Sequence, residues 1–314
     1  MENGGEALGT SGSKLGTRTE PNDQVTHLSS IALDDLVAAL GWLGRRPFRP
    51  LVRRAGRPAA RRFAEEVAAF DRCVERAGLV AAARALLARH VGALAIRGRD
   101  DVPFDRPVLF VANHPGLADA LALIVAIDDD RLTLVAADRP FFRATPSVNA
   151  RLIPVPAEEA RWLATFRAIV DRLAARRPVA TFPTGEIEPD PLIHSDAFAA
   201  VARWPRQLGA IRRRLPDLAV VPVAIGGVLT QRALRHPLAR LQPARADRER
   251  AAAMLQVVLR SPRPRAVRLA FGPPLQELDA PTLSAAYHAL ERALRAETGW
   301  TPVLGEANQP ATSR

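Results

Sequence analysis

A histidine and an aspartate five residues apart, His114 and Asp119, follow an apolar run at Val108–Ala112 in this chain of 314 residues. A carboxylate that accepts a hydrogen bond from Nδ1–H fixes the imidazole tautomer and leaves Nε2 to act as a general base. On one helix this spacing would place the two residues on different faces, because successive residues rotate by about 100°. The pairing therefore requires His114 in a turn and Asp119 in the first turns of the following helix. Backbone N–H groups at that helix start are expected to be available to an oxyanion.

Two other apolar runs end in turns that carry polar residues or glycine. Val179–Phe182 leads into a turn that contains an acid, and Val220–Ile225 leads into two glycines. Taken alone, His114 and Asp119 are more simply explained as a turn histidine and a helix-start acid. In open α/β sheets, ligands bind at the carboxyl ends of the strands, so the three strand ends together favour a functional site.

The elements that must position these residues follow from the pattern downstream of residue 93. Short runs rich in β-branched residues, bounded by glycine and proline, alternate with helical patterns. This alternation predicts an α/β fold with a mostly parallel central sheet and helices on both faces, preceded by an N-terminal helical segment. The predicted strands are Leu94–Arg97, Val108–Ala112, Leu132–Ala136, Leu152–Val155, Val179–Phe182, Val220–Ile225 and Val267–Phe271. The predicted helices of this part are Ala118–Ile127, Glu158–Arg177, Ala197–Arg214, Ala246–Arg260 and Leu283–Glu297.

Four regions are expected along the chain. Residues 1–28 lack an apolar period and are predicted to form a disordered leader. Residues 29–92 form the helical, membrane-facing segment, with one helix from about Ile31 and a second over Pro58–Val91. Residues 93–300 form the α/β domain, and residues 301–314 form a flexible tail.

The strand-end residues, taken in order, carry a resemblance to a known family. The blocks are Asn113-His114 with Asp119, Phe182-Pro183-Thr184-Gly185, and Val221-Pro222-Val223-Ala224-Ile225, framed by Gly98 and by Phe271-Gly272-Pro273-Pro274-Leu275. Each block is weak alone, but their order and spacing resemble those of the glycerophospholipid acyltransferases, which include the 1-acylglycerol-3-phosphate acyltransferases. The resemblance covers roughly residues 93–276.

The resemblance implies an acyltransferase in which His114 deprotonates an acceptor hydroxyl and Asp119 orients the imidazole. The oxygen attacks an acyl thioester, so no covalent enzyme intermediate, cofactor or metal is expected. The donor would be acyl-CoA or an acyl carrier protein, and the acceptor a lysophospholipid or a glycerol-phosphate-type alcohol. The alternative is a catalytically inactive, acyltransferase-like protein that binds lipid.

Acceptor binding is implied for the turn that follows the strand Val179–Phe182 and for nearby arginines. Gly116 and Thr184 stand where the family usually has serine and glutamate, and Glu186 follows two positions after Thr184. The candidates at the strand end are Phe182, Pro183, Thr184, Gly185 and Glu186. The candidates for an acceptor phosphate are Arg139, Arg143 and Arg151, with Arg161 as a fourth flanking arginine, and the sequence does not choose among them. Any one of them is also explained as a solvated surface arginine.

Basic side chains are concentrated in one short segment. The chain has 44 basic and 33 acidic residues, a formal charge of +11, and Lys14 is its one lysine. Eight arginines and no carboxylate lie between Arg45 and Arg62. This favours contact with anionic lipid through Trp42, Arg45, Arg46, Phe48 and Arg49, and a solvated helix connector explains the segment equally well.

The composition also bears on partners and location. No zinc-finger spacing, basic recognition helix or aromatic stacking motif accompanies the positive charge, so a nucleic-acid partner is not expected. A single cysteine, Cys73, is typical of a reducing compartment. No apolar run approaches the ~18 residues of a membrane-spanning helix. We therefore expect a cytoplasmic protein that is peripheral at the inner face of the cell membrane.

Overall fold

The computed structural model describes residues 21–41, 47–158, 162–204, 207–259 and 263–305. The α-helices in this part of the chain are α1 (Pro21–Ala39), α2 (Arg49–Ala77), α3 (Leu79–His90), α4 (Asp119–Ile127), α5 (Pro140–Arg143), α6 (Pro146–Asn149), α7 (Trp162–Ala174), α8 (Gln207–Arg214), α9 (Gln231–Leu234), α10 (Pro237–Arg240), α11 (Arg245–Leu259) and α12 (Ala280–Arg295). Short 3₁₀ helices lie at Arg99–Asp101 and at Ala197–Arg203, so the predicted helix Ala197–Arg214 is a 3₁₀ helix followed by α8. The strands are β1 (Leu94–Arg97), β2 (Val108–Ala112), β3 (Thr133–Ala137), β4 (Leu152–Val155), β5 (Val179–Thr181), β6 (Ala219–Gly226), β7 (Val267–Phe271) and β8 (Thr301–Leu304).

The strands form one sheet in the order β4-β3-β5-β2-β6-β7-β1-β8. Strands β4, β3, β5, β2 and β6 run parallel, as do β7 and β1. Antiparallel pairing occurs between β6 and β7 and between β1 and β8. The predicted α/β fold with a mostly parallel central sheet is therefore confirmed.

Helices cover both faces of the sheet because the central strands are apolar on both faces. On β2, Phe110 and Ala112 pack in the cluster that contains α3 and α4, whereas Leu109 and Val111 pack in the cluster that contains α7, α8 and α12. All five β2 residues are buried. This alternation follows from the two-residue side-chain period of a strand, and burial on both faces is typical of parallel sheets.

A proline and a glycine, Pro222 and Gly98, are each explained by their place in the sheet. Pro222 lies in β6, and its carbonyl accepts a hydrogen bond from the Gly272 amide, directly after β7 ends. Proline has no N–H to donate, and Pro222 lies just beyond the last residue pair of β6 with β7. A proline is therefore tolerated inside this central strand. Gly98 has φ +74, and a Cβ there would lie 2.5 Å from the Phe271 carbonyl oxygen, so a side chain is excluded.

The N-terminal helices differ from the sequence prediction in their bounds. Helix α1 begins at Pro21, so residues 21–28, assigned above to the leader, are helical. Helix α2 begins at Arg49 and continues through Pro58, which is exposed and lies in the helix interior. The arginine-rich first turns lack an apolar period, and this hid the true start of α2. Glycine at position 78, with φ +89, separates α2 from α3.

The helical segment and the sheet share contacts rather than forming separate cores. Helix α3 packs on α4 in the same apolar cluster as β2, α1 packs on α5 and α11, and α2 packs on α6 and α11. The change of pattern at residue 93 is therefore a change of secondary structure within a continuous core. None of the helices in the described ranges is long and apolar enough to cross a membrane.

The predicted flexible tail begins with an ordered strand. Residues 301–304 form β8, which pairs antiparallel with β1 at the sheet edge. The strand has four residues, includes Pro302, and is largely exposed, so it lacks the apolar run that marks the other strands. Residues 1–20 and 306–314 lie outside the described residues.

Candidate active site

Three neighbouring strands bring their carboxyl ends to one edge of the sheet. Strands β5, β2 and β6 are adjacent and parallel. His114 follows β2, the Pro183 turn follows β5, and Gly227 follows β6. The Asn113 side chain joins two of these ends, since its Nδ2 donates to the Ile225 carbonyl at 2.9 Å and its Oδ1 accepts from the Ile225 N–H at 2.7 Å.

The carboxylate of Asp119 organises the turn between β2 and α4. His114 Nδ1 donates to Asp119 Oδ2 at 2.7 Å, and the Gly116 N–H donates to the same oxygen at 3.0 Å. The second oxygen accepts from the Ala120 N–H at 2.7 Å. Asp119 is 0% exposed and is the first residue of α4. The expected placement of the histidine in the turn and the aspartate at the helix start is confirmed.

The reactive nitrogen of the histidine faces outward. With Nδ1 bonded to Asp119, Nε2 has no hydrogen-bond partner among the described residues, and the side chain is 20% exposed. The Phe182 ring stacks on the imidazole with centroids 4.6 Å apart and planes 28° apart. Asp119 and Phe182 therefore fix the ring in rotation and tilt, and Nε2 can take a proton from a group at the sheet edge.

Charge around the imidazole raises the pKa of His114. Burial of the ring lowers the pKa, but the Asp119 charge, the hydrogen bond to Asp119 and the Glu188 charge outweigh burial. The imidazolium is thus stabilised once a proton has been taken. The neutral form of His114, which acts as the base, therefore predominates only at a pH above the ordinary histidine pKa of about 6.5.

Two buried carboxylates in the loop after β5 hold the neighbouring strand ends, and the sequence analysis missed them. Glu188 accepts hydrogen bonds from the His114 N–H and from Trp204 Nε1, each at 3.0 Å. Asp190 accepts from the N–H groups of Leu192, Gly227, Val228 and Leu229. Their signal in the sequence is the alternation of acids with prolines in Glu188-Pro189-Asp190-Pro191, directly after a strand end.

The backbone donors near the start of α4 are largely engaged. The N–H groups of His114, Gly116 and Ala120 bond to Glu188 and Asp119, so these three are not the oxyanion donors that the sequence suggested. Gly116, which replaces the serine expected from the resemblance, is required sterically. A Cβ at position 116 would lie 2.8 Å from Cγ1 of Val228.

The acceptor candidates after β5 lie at the same edge as His114. Phe182, Pro183 and Thr184 are half-buried, and Gly185 and Glu186 are exposed. The Thr184 hydroxyl donates to the Glu186 carbonyl at 3.1 Å and accepts from the Glu186 N–H at 3.3 Å. Thr184 therefore shapes the turn, and the Glu186 carboxylate faces solvent.

The three candidate arginines are separated by the fold. Arg139 follows β3 at the carboxyl edge, is exposed, and has no hydrogen bond or ion pair within the described part of the chain. Arg143 forms a bidentate pair with Asp138 at 2.6 and 2.8 Å. Arg151 was wrongly grouped with them: it precedes β4, and its guanidinium donates to the Asp130 carbonyl at the opposite edge. Arg161 lies outside the described residues.

The expected membrane-facing residues are described only in part. Trp42, Arg45 and Arg46 lie outside the described residues. Phe48 and Arg49 lie at the start of α2 and are exposed. Arg49 is 3.8 Å from Asp34 of α1.

The first prediction concerns the titration of His114. Because the Asp119 charge, the hydrogen bond to Asp119 and the Glu188 charge together outweigh burial and raise the pKa of His114, its imidazole resonance in an NMR titration is expected to move at a pH above the ordinary range. Asp119→Asn removes that charge and is expected to shift the titration to lower pH. Asp279→Asn, which removes the exposed carboxylate that caps α12, serves as the control and should leave it unchanged. An unchanged titration in Asp119→Asn would contradict the assigned electrostatics.

The chain was compared with family models, curated proteins and solved structures. A family model described as Acyltransferase matches residues 93–226. No curated protein sequence matches the chain. Among solved structures, the chain is similar to the 1-acyl-sn-glycerophosphate (LPA) acyltransferase PlsC from Thermotoga maritima, with 18% identity, 88% of this chain and 96% of that chain covered, and a TM-score of 0.42. The segment that matches the Acyltransferase family model contains β1 to β6, His114 and Asp119.

Proposed function

We propose that the protein transfers a fatty acyl group from an acyl thioester to the hydroxyl of a lysophospholipid or glycerol-phosphate-type acceptor. The observation that carries this proposal is the 2.7 Å hydrogen bond from His114 Nδ1 to the buried Asp119 carboxylate, which leaves Nε2 without a partner among the described residues. The acyltransferase-family match over the same residues supports it. The acyl donor would be acyl-CoA or an acyl carrier protein.

The proposed reaction is a direct transfer between the two substrates. Nε2 of neutral His114 takes the proton of the acceptor hydroxyl while the oxygen attacks the thioester carbonyl carbon. The new C–O bond gives a tetrahedral intermediate, and its collapse breaks the C–S bond. The imidazolium, stabilised by Asp119, returns its proton to the departing thiolate. The products are an ester and a free thiol, and His114 is neutral again.

An acceptor phosphate is best accommodated by Arg139. Of the three described candidates, it is the one at the carboxyl edge whose guanidinium makes no hydrogen bond within the described residues, and its charge also acts on Asp35 of α1. Strand β3 is separated from β2 by β5, so its end lies about 10 Å from the end of β2, given a strand spacing of about 4.8 Å. That distance suits an acceptor with its hydroxyl at His114 and its phosphate toward Arg139.

Membrane association is proposed for the end of the helical segment. Phe48 and Leu51 are 45% and 67% exposed at the start of α2, close to Arg54 and Arg57, which are exposed in the same helix. Leu241 is also exposed, and its neighbour Gln242 donates to the Leu40 carbonyl at the end of α1. Apolar side chains bordered by arginines suit the interface of an anionic bilayer, where each cation contributes about 1 kcal/mol. The proposal places the protein at the inner face of the cell membrane.

The central prediction is loss of thioester turnover without the base. His114→Ala is expected to lower thiol release from palmitoyl-CoA in the presence of a lysophosphatidate by about 10²–10⁴-fold, the range for a positioned general base. His288→Ala, at an exposed position of α12, is the matched control and should retain full activity. Turnover in His114→Ala equal to that of wild type would refute catalysis by His114. Absence of turnover in wild type with acyl-CoA and acyl carrier protein donors would favour the lipid-binding alternative.

Substitution of Arg139 separates acceptor binding from chemistry. Arg139→Ala is expected to raise the KM for a phosphate-bearing acceptor about tenfold, the loss of about one charge-assisted hydrogen bond, with a small change in kcat. Arg131→Ala, which removes an exposed arginine at the other end of β3, should leave KM unchanged. Equal KM values for the two variants would exclude Arg139 as the phosphate contact.

Substitution of Leu51 tests contact with the bilayer. Sedimentation with phosphatidylglycerol vesicles is expected to bind the wild type, and Leu51→Asp should weaken binding about tenfold or more, since insertion of a leucine contributes about 2 kcal/mol. Leu259→Asp is the control, because Leu259 is similarly apolar and exposed but lies at the far end of α11. Equal binding of Leu51→Asp and wild type would show that this end of α2 is not the docking surface.

A further inference from the structure

We propose that Glu188 is a positioning residue for the base, one that holds the His114 backbone and sets the charge around the imidazole. This proposal adds a residue to the site of the function proposed above, and its kinetic test rests on that function. Glu188 belongs to none of the sequence blocks that carry the family resemblance. Its role is argued from its contacts and burial.

Glu188 forms hydrogen bonds with both backbone groups of His114. Its Oε2 accepts from the His114 N–H at 3.0 Å, and its own N–H donates to the His114 carbonyl at 2.7 Å. Asp119 fixes the imidazole of the same residue. His114 is therefore held at the ring by one buried carboxylate and at the backbone by another, and the position of Nε2 depends on both.

The other end of the Glu188 carboxylate is tied to the core. Oε1 accepts from Trp204 Nε1 at 3.0 Å, and the Trp204 ring packs edge-on against Tyr287 with centroids 4.6 Å apart. Tyr287 is fully buried, and its hydroxyl donates to the Val111 carbonyl of β2. The contacts thus form a closed path from β2 through α12 and Trp204 to Glu188 and back to the turn after β2. Such a path leaves the His114 backbone little freedom to shift.

The chemistry of the contacts requires a carboxylate. The Glu188 carboxylate accepts from the backbone N–H of His114 and from the indole N–H of Trp204, so both of its oxygens must accept. An amide would turn its NH₂ group toward one of these donors. Burial raises the pKa of Glu188, since the side chain is 4% exposed, and the hydrogen bonds from Trp204 and His114 oppose that rise. The titratable groups that face it are His114 from the turn before α4, Asp119 from the start of α4 and Tyr287 from α12. The Glu188 charge adds to that of Asp119 in favouring the imidazolium.

The test compares three variants. Glu188→Gln is nearly isosteric but removes the charge and one acceptor, Glu188→Asp keeps the charge, and Glu249→Gln is the control. Glu249 is a buried carboxylate on α11, 2% exposed, that pairs with Arg245 and His194 and does not contact His114. Thermal unfolding of all variants measures the general cost of removing a buried carboxylate.

Glu188→Gln is expected to lower kcat on the order of tenfold, with the acceptor KM unchanged, because the loss corresponds to about one hydrogen bond to a charged group. The acid limb of its pH–rate profile and the NMR titration of His114 should both move to lower pH. Glu188→Asp should keep the wild-type position of that limb, and Glu249→Gln should lose stability with an unchanged profile.

A structural role alone would give a different pattern. If Glu188→Gln keeps the wild-type kcat, pH profile and His114 titration and loses only stability, as Glu249→Gln does, the proposal is overturned. If Glu188→Gln does not fold, Glu188→Asp decides: a several-fold lower kcat at constant KM supports positioning, and a wild-type kcat overturns it. If the wild type shows no thioester turnover, the proposed function fails, while the His114 titration in Glu188→Gln still tests the electrostatic role of Glu188.

Discussion

The site depends on one buried carboxylate, that of Asp119, which accepts three hydrogen bonds at the start of α4. A charge out of contact with water is tolerated in a protein only when it is paired and hydrogen-bonded, and here the donors are an imidazole and two backbone amides. Satisfying this charge fixes the turn after β2, the tautomer of His114 and the direction of Nε2 in a single arrangement. A chain that folds with this carboxylate buried therefore also forms the base.

The neighbouring strand ends extend the same principle. Glu188 and Asp190 are two residues apart and, like Asp119, are buried carboxylates that accept from backbone N–H groups. One holds the segment after β2 and the other holds the segment after β6, so a single loop after β5 sets the distances among three strand ends. Val228, held by Asp190, fills the space beside Gly116, which explains why this chain has no side chain at that position.

The parts of the structure that were predictable are those in which local pattern and tertiary environment agree. Strand β2 is an apolar run that ends in a Pro-Gly turn, and the spacing of His114 and Asp119 permits only the arrangement found. Glu188 could not be assigned, because its role depends on β5 lying beside β2, and strand adjacency is not readable from one sequence. Strand β8 was missed because an exposed edge strand needs no apolar run. The position of Arg151 was predictable, because an arginine that precedes a parallel strand lies at the edge of the sheet opposite to an arginine that follows one.

The claim that His114 is the base of an acyl transfer is tested most directly by measuring its protonation and the reaction rate over the same pH range. The account predicts that kcat/KM for thioester turnover rises with pH, with a midpoint equal to that of the His114 imidazole titration by NMR and above the ordinary histidine range. It also predicts that both midpoints move together to lower pH in Asp119→Asn. A rate that does not change across the His114 titration would contradict the account.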